Sequence, residues 1–271
     1  MPASSIPEGW DCHVHVFDGG AAALPGHYRP PTRTLAEIEA RAAAHGVGHL
    51  VLVQPSVYGT DNTLMLQALR QGAGRHRGVA VVDGSVNDTE LDALHAAGVR
   101  GVRFNLVSPV GLHSDPAVQL RQLAPRLRER GWHLQWYLRH PQLADIVPLQ
   151  RADGPVFVLD HLAGIEAGTP AGDPAWQALA ALADGGAWVK LSGWYRLGAA
   201  HPYAAMHEPI RRVAALFGER VVWGSDWPHT SIDPSVDTPY DSLWQPVREA
   251  LAHATATDVR QAQPLRLYGG T

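Results

Sequence analysis

The stretch from residue 99 to residue 138 decides the fold. It begins with the run VRGVRFN (Val99–Asn105) and ends with the run WHLQWYL (residues 132–138). Between them, Asp115-Pro116 places an N-cap acceptor before a proline at a first helical position, and Gly131 follows where that helix should end. Two strands rich in β-branched and aromatic residues, joined by a helix, predict a βαβ unit of a parallel sheet.

The same alternation of short apolar runs and amphipathic segments continues along the whole chain. Thr34 and Glu37 have the spacing of a capping box, and Gly46 follows their helix as a C-terminal cap. Asp173-Pro174 and Gly185 bound another helix in the same way as Asp115-Pro116. Eight strands are predicted, at residues 10–17, 49–54, 79–83, 99–105, 132–138, 156–161, 188–193 and 221–226. This number predicts an α/β fold, a (β/α)₈ TIM barrel formed by residues 1–271 as a single domain.

Composition limits the classes of partner. Of the 271 residues, 45% are hydrophobic and 18% charged, which suits a soluble globular protein. With 22 basic and 26 acidic residues the formal charge is -4, which argues against nucleic-acid binding. The single cysteine, Cys12, excludes an internal disulfide, and no signal peptide or membrane-spanning run is apparent. We therefore expect a cytoplasmic protein with no membrane role. The sequence contains no sustained heptad pattern, so it does not indicate an oligomeric state.

Polar residues at strand ends point to a site, because the loops after the strands build the active site of such barrels. Period-two geometry predicts that Asp11, His13 and His15 share one face of the first strand. Asp226 ends the eighth strand, which is the neighbour of the first when the barrel closes. On the sixth strand, residues 157, 159 and 161 should form one face that brings His161 to the same rim. We expect these three histidines and Asp226 to meet.

Two arginines indicate an anionic substrate. Arg103 shares an inward face with Asn105 on the fourth strand, and Arg196 follows the seventh. No carboxylate partner is apparent for either, so a two-pronged bond to a substrate carboxylate is expected, with a salt bridge between loops as the alternative. Neutral groups are expected to add substrate contacts: Asn105, Gln54, Ser56 and Tyr58. Whether Trp136, Trp194, Trp227 and His229 form pocket walls or pack in the core stays open.

Six segments resemble the amidohydrolase superfamily, and within it the 2-pyrone-4,6-dicarboxylate lactonase-like group. They are DCHVHVF (11–17), VQPSVYGTDN (53–62), GVRGVRFN (98–105), DH (160–161), VKLSG (189–193) and WGSDWPH (223–229). The resemblance implies a barrel that hydrolyses a lactone, with Asp226 as the water-activating base. It also implies that His13, His15 and His161 surround the reacting carbonyl, and that Arg103 and Arg196 bind the substrate carboxylate.

One departure from that group concerns the substrate. Members have a basic residue soon after the Arg-Phe-Asn of the fourth strand, whereas this chain reads Leu106-Val107-Ser108-Pro109. The second carboxylate anchor is therefore missing. A lactone with one carboxylate, or a sugar-acid lactone, is as reasonable a substrate as a dicarboxylate.

Metal dependence and two other functions stay open. A binuclear centre is not expected, because His133 lies too early in the fifth strand to reach the rim.

We expect catalysis without a cofactor, in which Asp226 activates water and imidazole N–H groups stabilise the carbonyl oxygen. Alternatively, His13, His15, His161 and Asp226 hold one Zn²⁺ in a hydrolase or in a decarboxylase of an aromatic acid. A binding protein without turnover is the third possibility. A serine nucleophile is disfavoured because no Gly-x-Ser-x-Gly elbow is present.

Overall fold

Eight parallel strands form the (β/α)₈ barrel predicted from the sequence. We describe residues 6–25, 31–111, 115–233, 236 and 238–269 in a computed structural model. The strands pair in chain order, each with the next. They are β1 Gly9–Val14, β2 Val47–Val53, β3 Arg77–Ala80, β4 Val99–Asn105, β5 His133–Tyr137, β6 Phe157–Leu159, β7 Trp188–Leu191 and β8 Val221–Trp223. All eight overlap the predicted positions, but β1, β3, β6, β7 and β8 end two or three residues earlier than predicted.

Helices cover the outside of the barrel, and two of their predicted N-caps are confirmed. The capping box of Thr34 and Glu37 is present at the start of the first helix, and Asp115 caps the fourth. None of the described helices is long and apolar enough to cross a lipid bilayer. In the described part of the chain the helices are α1 Leu35–Ala43, α2 Thr63–Gln71, α3 Asp88–Ala96, α4 Pro116–Glu129, α5 Leu143–Ile146, α6 Ala175–Asp184, α7 His207–Phe217, α8 Gln245–Ala250, α9 His253–Arg260 and α10 Ala262–Tyr268.

The first and last strands meet just beyond their carboxyl ends. Val14 and Trp227 form a parallel bridge. The backbone N–H of Asp226 donates to the His13 carbonyl at 2.8 Å, and that of His15 donates to the Trp227 carbonyl at 2.9 Å. Closure of the barrel therefore brings the loop after β8 against the histidines that end β1.

The core has two layers. A larger apolar layer lies between the strands and the helices, and a smaller cluster, which includes Trp10, Val158 and Val222, fills the barrel. Tyr268 of α10 is fully buried, and its ring contacts Trp10 and His133 near the amino ends of their strands. Tyr268 thus closes the floor of the barrel, opposite the strand ends that carry the polar residues.

His133 gives the fold a testable dependence on pH. Burial of this side chain lowers its pKa from 6.5 to about 3, so the unfolded chain binds a proton below about pH 6.5 that the folded chain does not. This group therefore contributes stability that is lost as the pH falls from 6.5 towards 3, by up to about 1.4 kcal/mol per pH unit. We expect the free energy of unfolding in urea to fall less steeply between pH 7 and 5 in His133→Gln than in the wild type.

His253 offers the matched control, because its side chain is exposed at the start of α9. His253→Gln should keep the wild-type slope of stability against pH. Equal slopes for wild type and His133→Gln would contradict the prediction.

Candidate active site

A cavity of about 510 Å³ opens at the carboxyl ends of the strands. Three arginines and two carboxylates line it: Arg103, Arg139, Arg196, Glu166 and Asp226. His15, His161, Ser56, Asn105 and Tyr137 also contribute to its wall. A concave site with converging ionisable groups at this end of a barrel is where chemistry is expected.

A bulge in β1 aims its histidines into this site. Asp11 pairs with Leu50 and Val14 with Leu52, so β1 has one residue more than β2 over this stretch. The predicted regular alternation, with Asp11 on the same face as His13 and His15, is therefore wrong. Asp11 points away from the cavity, where its carboxylate accepts from the Ser225 N–H at 2.9 Å and from the Tyr240 hydroxyl at 2.8 Å. It ties β1 to the loop after β8.

His161 reaches the site by a different route from the one predicted. Phe157 and Leu159 pack in the outer layer, whereas Val158 lies inside the barrel. The expected shared face of residues 157, 159 and 161 is therefore wrong, because the strand ends at Leu159 and His161 adopts a positive φ of 48°. Regular alternation stops there, and the turn directs both Asp160 and His161 inwards.

Asp226 also depends on a positive φ, of 60°, three residues beyond β8. Gly224 makes this approach possible, since a Cβ there would lie 2.5 Å from the Cβ of His13. The Asp226 carboxylate is fully buried. Its Oδ1 lies 3.7 Å from His13 Nε2 and 3.5 Å from His15 Nε2, and its Oδ2 lies 3.9 Å from His161 Nε2. The structure thus brings together all four residues expected to meet.

The two oxygens of Asp226 have different surroundings. Oδ2 accepts from the Tyr195 hydroxyl at 2.5 Å and from Arg196 Nε at 2.6 Å, whereas Oδ1 has no hydrogen-bond partner among the described residues. Burial alone would raise the pKa of Asp226, but the charge of Arg196 and the neighbouring His161 outweigh it and hold the pKa well below its ordinary value. The carboxylate is therefore ionised, and Oδ1 is the oxygen that faces the rings of His13 and His15.

Imidazole nitrogens surround this carboxylate. His15 Nδ1 lies 2.7 Å from the Val53 carbonyl, which can only accept, so Nδ1 donates to it. Nε2 of the same ring lies 3.5 Å from Asp226 Oδ1. His13 Nδ1 lies 3.2 Å from Asp160 Oδ1, and its Nε2 lies on the side of Asp226. Burial lowers the pKa of His13 well below its ordinary value and that of His161 to about 4. The expected donation from imidazole N–H groups to the substrate carbonyl stays a prediction.

A buried charge network beneath the histidines was missed by the sequence analysis. Asp160 Oδ2 accepts from Arg103 Nε at 3.1 Å and from Gln135 Nε2 at 3.0 Å, while Lys190 Nζ lies 3.5 Å from Oδ1. Burial alone would raise the pKa of Asp160, but His13, Lys190 and Arg103 hold it well below its ordinary value. A lysine inside an apolar strand was the available signal, since such a charge requires a partner.

Both predicted anchor arginines have carboxylate partners, so the premise that neither has one is wrong. Arg196 donates to Asp226 through Nε, to Ser231 through Nη1 and to Thr230 through Nη2. Arg103 uses only Nε, and its terminal nitrogens make no hydrogen bond to another described residue. Because Asp160 is shared with Lys190, the region around Arg103 keeps a positive charge and suits an anion.

The uncharged side chains that were expected to contact the substrate divide into two groups. Ser56 and Asn105 line the cavity and bond to each other at 2.5 Å. Gln54 is fully buried and donates to the Asp61 carbonyl, and the Tyr58 hydroxyl bonds to the backbone of Asp18. Neither Gln54 nor Tyr58 lines the cavity, so their expected substrate contacts are corrected to support of loops. Trp136, Trp194, Trp227 and His229 are buried and lie outside the cavity wall.

Comparisons with known proteins agree with this architecture. Residues 10–269 match the family described as Amidohydrolase. A 2-pyrone-4,6-dicarboxylate hydrolase from Comamonas testosteroni is 31% identical, over 99% of this chain and 91% of that protein. A 4-sulfomuconolactone hydrolase from Rhizobium radiobacter is 28% identical over 98% and 91%. A solved structure of a probable 2-pyrone-4,6-dicarboxylic acid hydrolase from Acinetobacter baumannii, with citric acid bound, has a TM-score of 0.85 and 27% identity, over 97% of this chain and 100% of that one.

Asp160 should be essential for stability. In Asp160→Asn the buried Arg103 and Lys190 lose their countercharge, which should lower the free energy of unfolding by about 3 kcal/mol or more. Denaturant unfolding at pH 7 measures this loss. Asp153→Asn is the control, because Asp153 forms an exposed ion pair with Arg151, and it should unfold as the wild type does. An Asp160→Asn protein as stable as the control would show that the network carries no such energy.

Proposed function

The chain belongs to the amidohydrolase family, and from this premise we propose that it hydrolyses the cyclic ester of a carboxylated lactone. The relatives named above include a dicarboxylate lactone hydrolase and a sulfomuconolactone hydrolase, which supports a hydrolase acting on small anionic lactones. The single observation that carries the proposal is the ionised Asp226, whose Oδ1 is unpartnered and faces two imidazole nitrogens. A lactone is an activated ester, so a positioned base and a well-oriented carbonyl suffice to open it.

The proton pathway follows from these atoms. Asp226 Oδ1 takes a proton from water as the water oxygen attacks the lactone carbonyl. His15, whose Nε2 lies 3.5 Å from Oδ1 and whose Nδ1 donates to the Val53 carbonyl, then accepts that proton at Nε2. As the ring C–O bond breaks, the imidazolium of His15 returns the proton to the leaving oxygen. The products are the ring-opened hydroxy acid and the regenerated site, so no proton is gained or lost.

Arg103 is the proposed anchor for the substrate carboxylate. Its Nε is fixed by Asp160, which leaves the two terminal nitrogens for a two-pronged bond to an anion. The similar structure with citric acid bound supports a site for carboxylates. Arg196 instead holds Asp226 in place and lines the same cavity. Ser56 and Asn105 are proposed to contact the substrate beside Arg103.

A mononuclear metal enzyme is the second candidate, and one observation favours it. Donor atoms of His13, His161 and Asp226 lie within 4.8 Å of one another, and His15 Nε2 faces the same carboxylate. When bound there, a divalent ion supplies Lewis acidity to the lactone carbonyl. Charge balance favours the metal-free proposal, because three cations, Arg103, Lys190 and Arg196, already accompany the carboxylates of Asp160 and Asp226.

A matched pair of lactones tests the proposed function. We expect kcat/KM for a carboxylated lactone to exceed that for the same lactone without the carboxylate by at least about tenfold, because Arg103 forms a charge-assisted bond to the substrate. Ring opening is measured by the proton that the newly formed carboxylic acid releases into solution. Arg103→Met should remove most of this preference, mainly through KM. Arg151→Met, at an exposed site, is the control. Equal rates on both lactones, or no turnover on either, would contradict the proposal.

Metal content separates the two candidates. Protein expressed without added metal and dialysed against a chelator should keep its lactonase activity while containing well under one equivalent of metal. The metal-free proposal requires this result because Asp226 and His15 supply the proton transfers. Activity that disappears on dialysis and returns with Zn²⁺ would establish the second candidate instead.

A further inference from the structure

A second cavity adjoins the catalytic one. It has a volume of about 430 Å³ and shares Ser56, Arg103 and Asn105 with the first. We call this second cavity the annex. Because three wall residues are common to both, a molecule whose carboxylate lies on Arg103 can extend from the catalytic cavity into the annex.

The annex wall exposes more apolar than polar surface, whereas the two are about equal in the catalytic cavity. Loops after four successive strands contribute Leu24, Gly59, Val81, Val82 and Val110. Leu24 is 44% exposed, although it is a large apolar side chain. Such a surface gains free energy when an apolar group covers it.

Charge in the annex argues against a second carboxylate. Among its described lining residues the charged ones are Arg103 and Asp83. Hydrogen bonds from Ser85 lower the pKa of Asp83, so its carboxylate is ionised and repels an anion. Residues 106–109, Leu-Val-Ser-Pro, add no cation to the loop after β4.

We propose that the annex is a specificity subsite that takes an alkyl or aryl substituent of the lactone. This inference rests on the proposed function and names its substrate class: a lactone with one carboxylate and one apolar substituent. The carboxylate binds Arg103 in the catalytic cavity, and the substituent passes Ser56 and Asn105 to contact Val81 and Val82. The annex then selects among lactones without touching the reacting atoms.

Val81 is suited to test this subsite. It is half-buried, and its backbone N–H and carbonyl are both held by the Asn62 side chain, at 3.1 and 2.8 Å. Substitutions there change the annex while its backbone stays anchored. Val156 is the matched control, because this exposed valine precedes β6 at the opposite end of the barrel.

The experiment compares carboxylated lactones bearing hydrogen, methyl, propyl, pentyl, heptyl or phenyl on the ring. In the wild type, kcat/KM should rise about fourfold for each buried methylene. Val81→Phe should reduce the ratio of kcat/KM for pentyl over hydrogen at least tenfold, and Val81→Ala should move the optimum to a longer chain. Val156→Phe should keep the wild-type ratio.

The outcomes distinguish this inference from the proposed function. Two results would overturn the subsite and leave the lactonase intact. One is turnover of the unsubstituted lactone with no gain from any substituent. The other is a Val81 variant that changes kcat/KM equally for the pentyl-substituted and the unsubstituted lactone. No turnover of any lactone in the series would overturn both. Because Val81→Ala and Val81→Phe predict shifts in opposite directions, the failure of one variant to fold leaves the test available through the other.

Discussion

Closure of the barrel between β1 and β8 is the constraint on which the site depends. The N–H of Asp226 donates to the His13 carbonyl, and the Asp11 carboxylate accepts from Ser225, so the loop after β8 is fixed against the end of β1. Gly224 permits the close approach, since any Cβ there would collide with His13. The site therefore forms as a consequence of completing the sheet, and the same contacts stabilise the fold and position Asp226.

The charges of the site are balanced in pairs. Asp160 lies below His13 with Arg103 and Lys190, and Asp226 lies above it with Arg196. Each carboxylate remains ionised despite full burial, because its cationic neighbours outweigh the cost of desolvation. This arrangement leaves Asp226 Oδ1 and the terminal nitrogens of Arg103 without a hydrogen bond to another described residue.

The sequence predicted the strands and the meeting of the catalytic residues, because apolar runs and strand ends are local signals. It did not predict the backbone conformation that directs these side chains into the cavity. The bulge after Asp11 and the positive φ at His161 and Asp226 break the regular alternation. Neither of the two residues with positive φ is a glycine, so the sequence carries no signal of the left-handed backbone there. The partners of the arginines were equally hidden: Arg103 and Asp160 are 57 residues apart in the chain, and only the closed barrel brings them together. Gln54 was misjudged for the same reason, since its acceptor carbonyls become known only with the loop conformation.

The role of Asp226 Oδ1 as the base is the central claim, and Asp226→Asn tests it most directly. Asparagine keeps the size of the side chain but cannot take a proton from water. On a carboxylated lactone that the wild type opens, kcat should fall by about 10²-fold or more while KM changes only a few-fold. A variant that folds as the wild type does and retains a kcat near the wild-type value would contradict the account.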